Sequence, residues 1–379
     1  MANEDKATRY HRLRRRAELA GTAAAGAALL LLVAGGAHVA ARDLAAGLFQ
    51  VLPAGAATAA GAALVAVAAL LVLALVEAPF AWYQGFVLEH RYGLSTQSAG
   101  HWLADHAKGT VLSLAFGAAA AGVVYAAMHW LGSWWWLGAS AAFGLAMVGL
   151  VQLAPVLLLP LFFAFKPLER PALAARLLAL AERVGARITG VFEWTLSGHT
   201  RKANAALAGM GRTRRILLSD TLLADYSDDE IEVVLAHELA HHVHHDLWRG
   251  VALQLALIVG GCFVAGLALG WSGPVLGLTG LADPAGVPAL LLIGGAWSLA
   301  ALPAANAASR AHERRADHFA LEATHNPQAF VSAMRRLSQQ NLAEEHPSTL
   351  VQWLFYSHPP IRERIEAARR WERLRQARG

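Results

Sequence analysis

The chain has 379 residues, of which 56% are hydrophobic and only 16% are charged. Soluble globular proteins average about 25% charged residues, so this composition excludes an ordinary soluble domain as well as a disordered or collagen-like chain. The single cysteine, Cys262, excludes a disulfide framework and any metal site built from several cysteines. We therefore expect an integral membrane protein.

Six uncharged stretches are long enough to cross a bilayer, which requires about 20 apolar residues in a helix. We predict six spans within the runs Ala20–Ala40, Val51–Val76, Gly109–Met128, Leu131–Phe165, Gly250–Ala282 and Pro284–Ser309. The fourth run contains Pro155 and Pro160. It therefore forms either one kinked helix or a helix followed by a short re-entrant segment.

The distribution of basic residues predicts the orientation of the spans. Six Lys or Arg residues precede the first span, ten lie in 166–247 and twelve in 310–379, while the other connecting segments between spans carry almost none. Because cytoplasmic segments are enriched in Lys and Arg, we expect both termini and the segment 166–247 in the cytoplasm. The high Ala and Gly content suggests a bacterial source and thus the bacterial inner membrane. The net charge of +5 is explained by anionic lipid and requires no nucleic acid.

The predicted fold is mostly α: a polytopic transmembrane helix bundle with a small α+β domain, whose H-E-x-x-H pattern at 237–241 is typical of zincin-like catalytic domains. We divide the chain into a basic cytoplasmic N-terminus (1–19), spans one to four (20–165), a first catalytic segment (166–247), spans five and six (248–309) and a second catalytic segment with a basic C-terminal helix (310–379). Neither catalytic segment is long enough to form a comfortable separate domain, so we expect them to pack together beneath the bundle.

The hydrophobic pattern of the first catalytic segment predicts four elements. In chain order they are a helix over Pro171–Val184, a strand over Ile188–Leu196, a hairpin formed by Ala203–Ala208 and Arg215–Leu218, and a helix over Asp228–Asp246. Gly211 and Arg212 fall in the expected hairpin turn. Asp228 is expected to cap the last of these helices.

The strongest chemical signal is the H-E-x-x-H pattern formed by His237, Glu238 and His241 in an apolar helical stretch. Residues four apart share one face of a helix, so the two imidazoles can bind one zinc ion. We expect one zinc per chain, held by neutral imidazole nitrogens. Glu238 projects beside the ion, where it can act as the general base that takes a proton from a zinc-bound water.

A hydrolytic zinc site usually has three protein ligands and one open position. Glu313 and Asp317 lie four residues apart after the sixth span, and we predict that Glu313 is the third ligand while Asp317 accepts the second N–H of a ligating histidine. The same segment is also compatible with a plain amphipathic helix. His312 is a rival ligand, although it lies about 100° around the helix from Glu313. His242, His244, His245 and Asp246 are interpreted as a solvated helix end, and the alternative is that one of them supports a metal ligand.

Further motifs accompany these residues in a fixed order. They are 89–97 (EHRYGLSTQ), Pro155-x4-Pro160-Leu-Phe with Lys166-Pro-Leu, Asn204-Ala205, 211–216 (GRTRRI), 220–223 (DTLL), H-E-x-x-H, Glu313-x3-Asp317 and Ser357-His358-Pro359-Pro360-x3-Arg364. From about residue 77 to about residue 366 the chain resembles the membrane-integral zinc endopeptidases typified by the type 1 CAAX prenyl protease. More distantly, it is similar to bacterial heat-shock membrane proteases.

The resemblance implies roles for residues that the spacing alone does not assign. Substrate lies as an added strand beside Asn204 and Ala205, with the Asn side chain holding the substrate backbone. His358 stabilises the oxyanion that forms on the scissile carbonyl, and Arg364 holds a substrate carboxylate or orders His358. Ala206 stands where eukaryotic members have an aromatic residue, a departure that bears on prenylated substrates more than on peptidase activity.

We therefore predict a zinc-dependent integral-membrane endopeptidase that cleaves membrane-associated proteins or peptides, either as a CAAX-type protease or in membrane-protein quality control. The alternative is a zinc-dependent membrane sensor, scaffold or transporter with a vestigial peptidase site. Glu238 favours the enzyme, because a structural or transport site needs metal ligands but no base beside them.

Overall fold

The structure is a computed structural model that describes residues 5–153, 157–209 and 214–377. Pro155, Gly211 and Arg212, to which the sequence pattern assigned a kink and a turn, lie outside these residues. Fourteen α-helices follow one another within the described part of the chain: α1 (Lys6–Ala34), α2 (Ala37–Phe49), α3 (Ala54–Trp82), α4 (Glu89–Arg91), α5 (Ala99–Leu131), α6 (Trp135–Leu153), α7 (Pro171–Arg183), α8 (Asp220–Asp225), α9 (Asp228–Val243), α10 (Asp246–Ser272), α11 (Val287–Thr324), α12 (Pro327–Gln340), α13 (Thr349–Phe355) and α14 (Ile361–Gln376).

Long apolar helices dominate the first half of the chain and recur later. Five helical stretches of the described residues are long and apolar enough to cross a membrane: Lys6–Ala34, Ala54–Arg91, Ala99–Leu153, Asp246–Ser272 and Pro284–Thr324. The third comprises two helices, α5 and α6, which are separated at Gly132 and pack against each other. Leu75, Leu145 and Trp271 are 75–87% exposed, as expected for side chains that face lipid. The predicted integral membrane protein is confirmed.

Helix α1 begins well before the first apolar run. It starts at Lys6, includes most of the basic segment 1–19 and ends in a turn where Gly36 has a φ of 71°. Arg is a good helix former, so a change in polarity does not by itself interrupt the helix. The two halves have different surroundings: Tyr10 in the basic half is 1% exposed, whereas Leu31 in the apolar half is 71% exposed.

The catalytic domain contains a four-stranded sheet in the spatial order β1-β2-β4-β3. The strands are β1 (Phe165–Pro167), β2 (Val191–Trp194), β3 (Ala205–Ala208) and β4 (Arg215–Ser219). β3 and β4 are antiparallel, with Ala205 opposite Leu218, so the predicted hairpin pairing is confirmed. β3 is the terminal strand of the sheet on the side where Asn204 and Ala205 line a cleft.

Helix α9 carries the H-E-x-x-H residues and has a capped N-terminus. The prediction that Asp228 caps this helix was wrong, because the cap is Ser227: its hydroxyl accepts from the Glu230 amide, and the Glu230 carboxylate accepts from the Ser227 amide. This reciprocal arrangement satisfies two amides that the first helical turn leaves unpaired. The helix also ends earlier than predicted, at Val243, and His245 adopts a left-handed φ of 55° before α10 begins at Asp246.

Helix α11 connects the membrane bundle to the catalytic domain. It is 38 residues long, and its C-terminal half packs along α9. Ala316 and Ala320 are fully buried there, and their small side chains allow the two helices to approach closely. Glu313 and Asp317, four residues apart, are buried on this helix. Helix α11 thus runs without a break from the membrane bundle into the catalytic domain.

Candidate active site

Three side chains from α9 and α11 converge on one point. The ligand atoms of His237, His241 and Glu313 all lie within 4.8 Å of one another. His237 Nε2 is 3.2 Å from Glu313 Oε2, and His241 Nε2 is 3.5 Å from Glu313 Oε1. The helical spacing brings the two imidazoles together, and the packing of α11 on α9 adds the carboxylate. Two nitrogens and one carboxylate within this distance match the donor set of a hydrolytic zinc site.

The hydrogen bonds of the two imidazoles indicate that this point suits a cation. The Nδ1 atom of His237 is 3.0 Å from Asp317 Oδ1, and the Nδ1 atom of His241 is 3.1 Å from Asp246 Oδ2. A proton on each Nδ1 leaves the Nε2 lone pair directed at the common point. Glu313 Oε2 is buried there and has no hydrogen-bond donor among the described residues. Two lone pairs facing an unpaired carboxylate oxygen require positive charge between them.

Electrostatics at His237 agree with this geometry. Burial opposes a charge on the ring, but the carboxylates of Asp317 and Glu313 outweigh burial and raise the pKa of His237 to about 9. The surroundings therefore stabilise a positive charge on or beside this imidazole. A bound metal ion would supply this positive charge without a proton on His237 Nε2.

Arg364 lies behind His237 in a buried ion pair. Its Nη2 is 2.5 Å from Asp317 Oδ1 and its Nε donates to Asp317 Oδ2 at 2.8 Å. The same Nη2 is 3.3 Å from His237 Nδ1. Two of these three contacts are with Asp317, which itself contacts His237. The guanidinium therefore orders Asp317, which in turn orients His237.

Asp246 is not a solvated residue at a helix end, and the structure agrees with the alternative interpretation, in which it supports a histidine of the site. Asp246 is only 7% exposed and supports His241 as Asp317 supports His237, and Arg315 Nη2 donates to its other oxygen at 2.6 Å. A carboxylate five positions beyond His241 would not share its face in a continuous helix. The left-handed backbone at His245 ends α9 and returns the Asp246 side chain to His241. The sequence pattern does not predict this break. The rival ligand His312 lies near this carboxylate, 3.9 Å from Asp246 Oδ1, and outside the three-residue group.

Most of the remaining candidate residues line one cleft of about 350 Å³ beside the three ligand atoms. The cleft is lined by Asn204, Ala205, His237, Glu238, Glu313, His358 and Arg364, among others. Burial raises the pKa of the Glu238 carboxyl above its ordinary value. His358, in the turn between α13 and α14, has its Nε2 3.4 Å from Glu313 Oε1. The cleft therefore combines a cation site, a carboxylate beside it and an imidazole at its rim.

Two family models match consecutive parts of the chain. The model described as CAAX prenyl protease N-terminal, five membrane helices, matches residues 2–164. The model of peptidase family M48 matches residues 167–372, which contain every residue of the site. The N-terminal match agrees with the helical membrane segment, and the second match agrees with the catalytic domain.

Individual relatives and one solved structure agree with these matches. The chain is 31% identical over 306 residues to a Bacillus subtilis protein named uncharacterized metalloprotease YhfN, across 80% of this chain and 72% of that relative. It is 28% identical over 306 residues to a CAAX prenyl protease 1 homolog of Oryza sativa, across 77% of this chain and 69% of the relative. Its fold matches the crystal structure of S. mikatae Ste24p with a TM-score of 0.82 at 23% identity, over 96% of this chain and 87% of that one.

These similarities agree with the composition, the helices and the site. A sensor, scaffold or transporter is not favoured, since the family is one of peptidases and the cleft retains Glu238 beside the ligand atoms. The chain therefore belongs to peptidase family M48 and is an integral membrane metalloendopeptidase.

Proposed function

We propose that the protein holds one zinc ion through His237, His241 and Glu313 and uses it to hydrolyse peptide bonds of membrane-associated proteins. The observation that carries this proposal is the convergence of two imidazole nitrogens and one buried carboxylate within 4.8 Å, with Glu238 in the adjoining cleft. Three protein ligands leave one position for water or substrate, as hydrolytic zinc sites require.

Each residue of the cleft then has a distinct task. Zinc, when bound, polarises the scissile carbonyl and lowers the pKa of water to near neutrality. Glu238 takes the proton from the attacking water and delivers it to the leaving amine, and burial, which raises its pKa, favours the protonated carboxyl from which the second transfer starts. His358 donates an N–H to the oxygen that becomes negative during attack. Asp317 with Arg364, and Asp246 with Arg315, keep the two ligating rings in orientation.

The terminal strand β3 supplies the means of binding a peptide. An extended segment can pair with the open side of Ala205–Ala208, with the Asn204 side chain holding its backbone. This pairing forms hydrogen bonds with the backbone of the bound peptide and not with its side chains, so peptides of varied sequence can bind. Ala206, on this strand, contributes only a methyl group to contacts with a bound peptide. We propose membrane proteins or peptides as the general substrate class, with CAAX-type cleavage, the activity named for several relatives, as one possible specialisation.

We further propose six spans in a bacterial inner membrane, with both termini and the catalytic domain in the cytoplasm. The basic residues of 166–247 and 310–379 support this orientation. Reporter fusions after Gly47 and Gly280 are expected outside, and fusions after Lys202 and Gln376 inside. An external reading at Gln376 would overturn both the span number and the side of the membrane on which cleavage occurs.

The reaction is tested by changing Glu238 to Gln in the full-length protein purified in detergent. The variant preserves size and leaves the three ligands intact, so it should retain zinc and peptide binding but lose nearly all cleavage. His358→Ala should also retain zinc and should lower kcat roughly 10²–10³-fold, the effect of removing one oxyanion donor.

Zinc content by elemental analysis and turnover of a quenched fluorescent peptide are measured for both variants. Near-normal turnover by Glu238→Gln would refute the peptidase assignment of this cleft. A His358→Ala enzyme with normal kcat but weakened binding would make His358 a substrate anchor instead of an oxyanion donor.

A further inference from the structure

One wall of the cleft is a short segment between α12 and α13. Asn341, Ala343 and Glu344 all line the cleft. Leu342, between them, has a φ of 49°, in the left-handed region that residues with a Cβ rarely adopt. The Ala343 amide donates to the Ser338 carbonyl at 2.8 Å. A strained backbone of this kind persists only when its surroundings hold it.

The basic half of α1 supplies part of that support. His11 Nε2–H donates to the Leu342 carbonyl at 2.8 Å, and the Leu342 side chain packs against a small apolar cluster that includes buried Tyr10 and Leu88. The first membrane helix is thus in direct contact with the cleft wall, 331 residues away in the chain. The contact accounts for the burial of Tyr10 in the basic half of α1, which precedes the first apolar run.

A second contact extends from α1 through the wall to the segment that carries His358. Arg15 Nη1 is 2.7 Å from Glu344 Oε2, and the Tyr356 hydroxyl donates to the same oxygen at 2.6 Å. The Glu344 side chain is only 4% exposed. Burial alone would raise the pKa of Glu344, but the hydrogen bonds from Arg15 and Tyr356 outweigh it and keep the pKa below its usual value. The carboxylate is therefore charged and bound on two sides.

Tyr356 is restrained at both ends. Its hydroxyl is held by Glu344, and its carbonyl accepts from Arg310 Nη1 at 2.6 Å. Arg310 lies on α11, three residues before Glu313. His358 follows two positions after Tyr356, in the turn before α14, and its Nδ1 lies 2.9 Å from the Ser357 hydroxyl. Since His358 itself is exposed, its placement depends on the residues that anchor the turn.

We propose that Arg15, Glu344 and Tyr356 form a positioning relay by which the first membrane helix sets the location of His358 over the cleft. The proposal rests on the function proposed above for His358. Glu344 and Tyr356 line the cleft, but the relay acts through position and not through contact with substrate: Glu344 is the buried link, Arg15 supplies its counter-charge, and Tyr356 transmits the constraint to the turn. Small displacements of a catalytic group reduce rate steeply, by up to about 10²-fold for 1 Å.

The relay predicts a loss of kcat without loss of metal. Tyr356→Phe removes a single hydroxyl, and Glu344→Gln removes the charge that binds Arg15. Each should lower kcat about five- to twentyfold and leave zinc content and KM within about twofold. Arg15→Ala should behave like Glu344→Gln, and Arg15→Lys should recover part of the loss. Arg16→Ala, an exposed neighbour on the same helix, is the matched control and should retain normal kcat.

A double-mutant cycle separates the relay from general destabilisation. If Tyr356 and Glu344 act only through His358, then Tyr356→Phe with His358→Ala should be no slower than His358→Ala alone. Losses that multiply would overturn the relay, as would normal kcat in Tyr356→Phe and Glu344→Gln while His358→Ala is slow. That second result leaves the proposed role of His358 intact. A His358→Ala enzyme with normal kcat would refute the role of His358 and, with it, the relay.

Discussion

The inner and outer halves of the active site use the same three residue types in different surroundings. In the inner half, His237 contacts Asp317, which is paired with Arg364. In the outer half, His241 contacts Asp246, which is paired with Arg315. We call these sets the inner and outer triads. Both fix the imidazole with Nδ1 toward a carboxylate and Nε2 toward the cation site.

The difference between the triads is burial. The Arg364 side chain is 9% exposed, whereas the Arg315 side chain is 41% exposed. Removing one partner from a buried pair leaves an uncompensated charge away from water, whereas water replaces a missing partner at the surface. The triads should therefore contribute alike to the orientation of the histidines but unequally to stability. Orientation and stability can be separated experimentally by comparing matched substitutions.

The largest effect should come from the histidines themselves and should be the same in both triads. His237→Ala and His241→Ala each remove one of three proposed ligands, so zinc content should fall sharply and cleavage should fall to background. Elemental analysis and peptide turnover measure the two losses, and His312→Ala is the control that should keep its zinc. Full occupancy in either histidine variant, or in Glu313→Ala while His312→Ala loses zinc, would contradict the proposed ligand set.

The arginines should differ most between the triads. Arg364→Ala breaks a buried pair and should reduce the free energy of unfolding by about 3–5 kcal/mol. Arg315→Ala removes a half-exposed guanidinium whose place beside the buried Asp246 can be taken by water and by Arg249, at 3.6 Å from the same carboxylate, so we expect a smaller loss of about 1 kcal/mol. Chemical unfolding in detergent, followed by tryptophan fluorescence, measures both. Equal losses would show that burial does not distinguish the two triads.

The aspartates should act on metal affinity. Asp317→Asn and Asp246→Asn preserve shape but remove the charge that orients each ring, and such changes typically cost about 10–100-fold in affinity. We expect Asp317→Asn toward the upper end, because Arg364 then remains buried beside His237, and Asp246→Asn toward the lower end. Competition with a chelator of known zinc affinity measures the ratio. A greater loss in Asp246→Asn would reverse the comparison.

The smallest effect should come from the helix that carries both histidines. Ser227→Ala removes the cap of α9 and should cost about 1 kcal/mol of stability. Because the cap acts on the whole helix, it should leave the relative contributions of the two triads unchanged. Unfolding of Ser227→Ala combined with each arginine variant tests this. Additive losses are expected, since the cap and the arginines share no partner.

Features fixed by local helix or hairpin geometry could be predicted from sequence, whereas contacts that depend on a break or on packing could not. His237, Glu238 and His241 could be identified because a helix fixes residues four apart on one face. The hairpin of β3 and β4 follows from two short apolar stretches with a glycine-containing turn between them, and its pairing is present. Asp246 could not be found in this way, because its contact with His241 depends on a helix break that the local pattern of histidines does not announce.

Sequence by itself determined the class of this protein: the apolar runs require a membrane, and the H-E-x-x-H spacing requires a helix with two imidazoles on one face. Tertiary structure alone decided what surrounds them. The sequence placed Asp317 beside a histidine and assigned no role to Glu344, but neither the pairing of Asp317 with Arg364 nor that of buried Glu344 with Arg15 follows from it. A buried charge is stable only beside its partner, and these partners come from distant parts of the chain, so only the packing reveals the pairs.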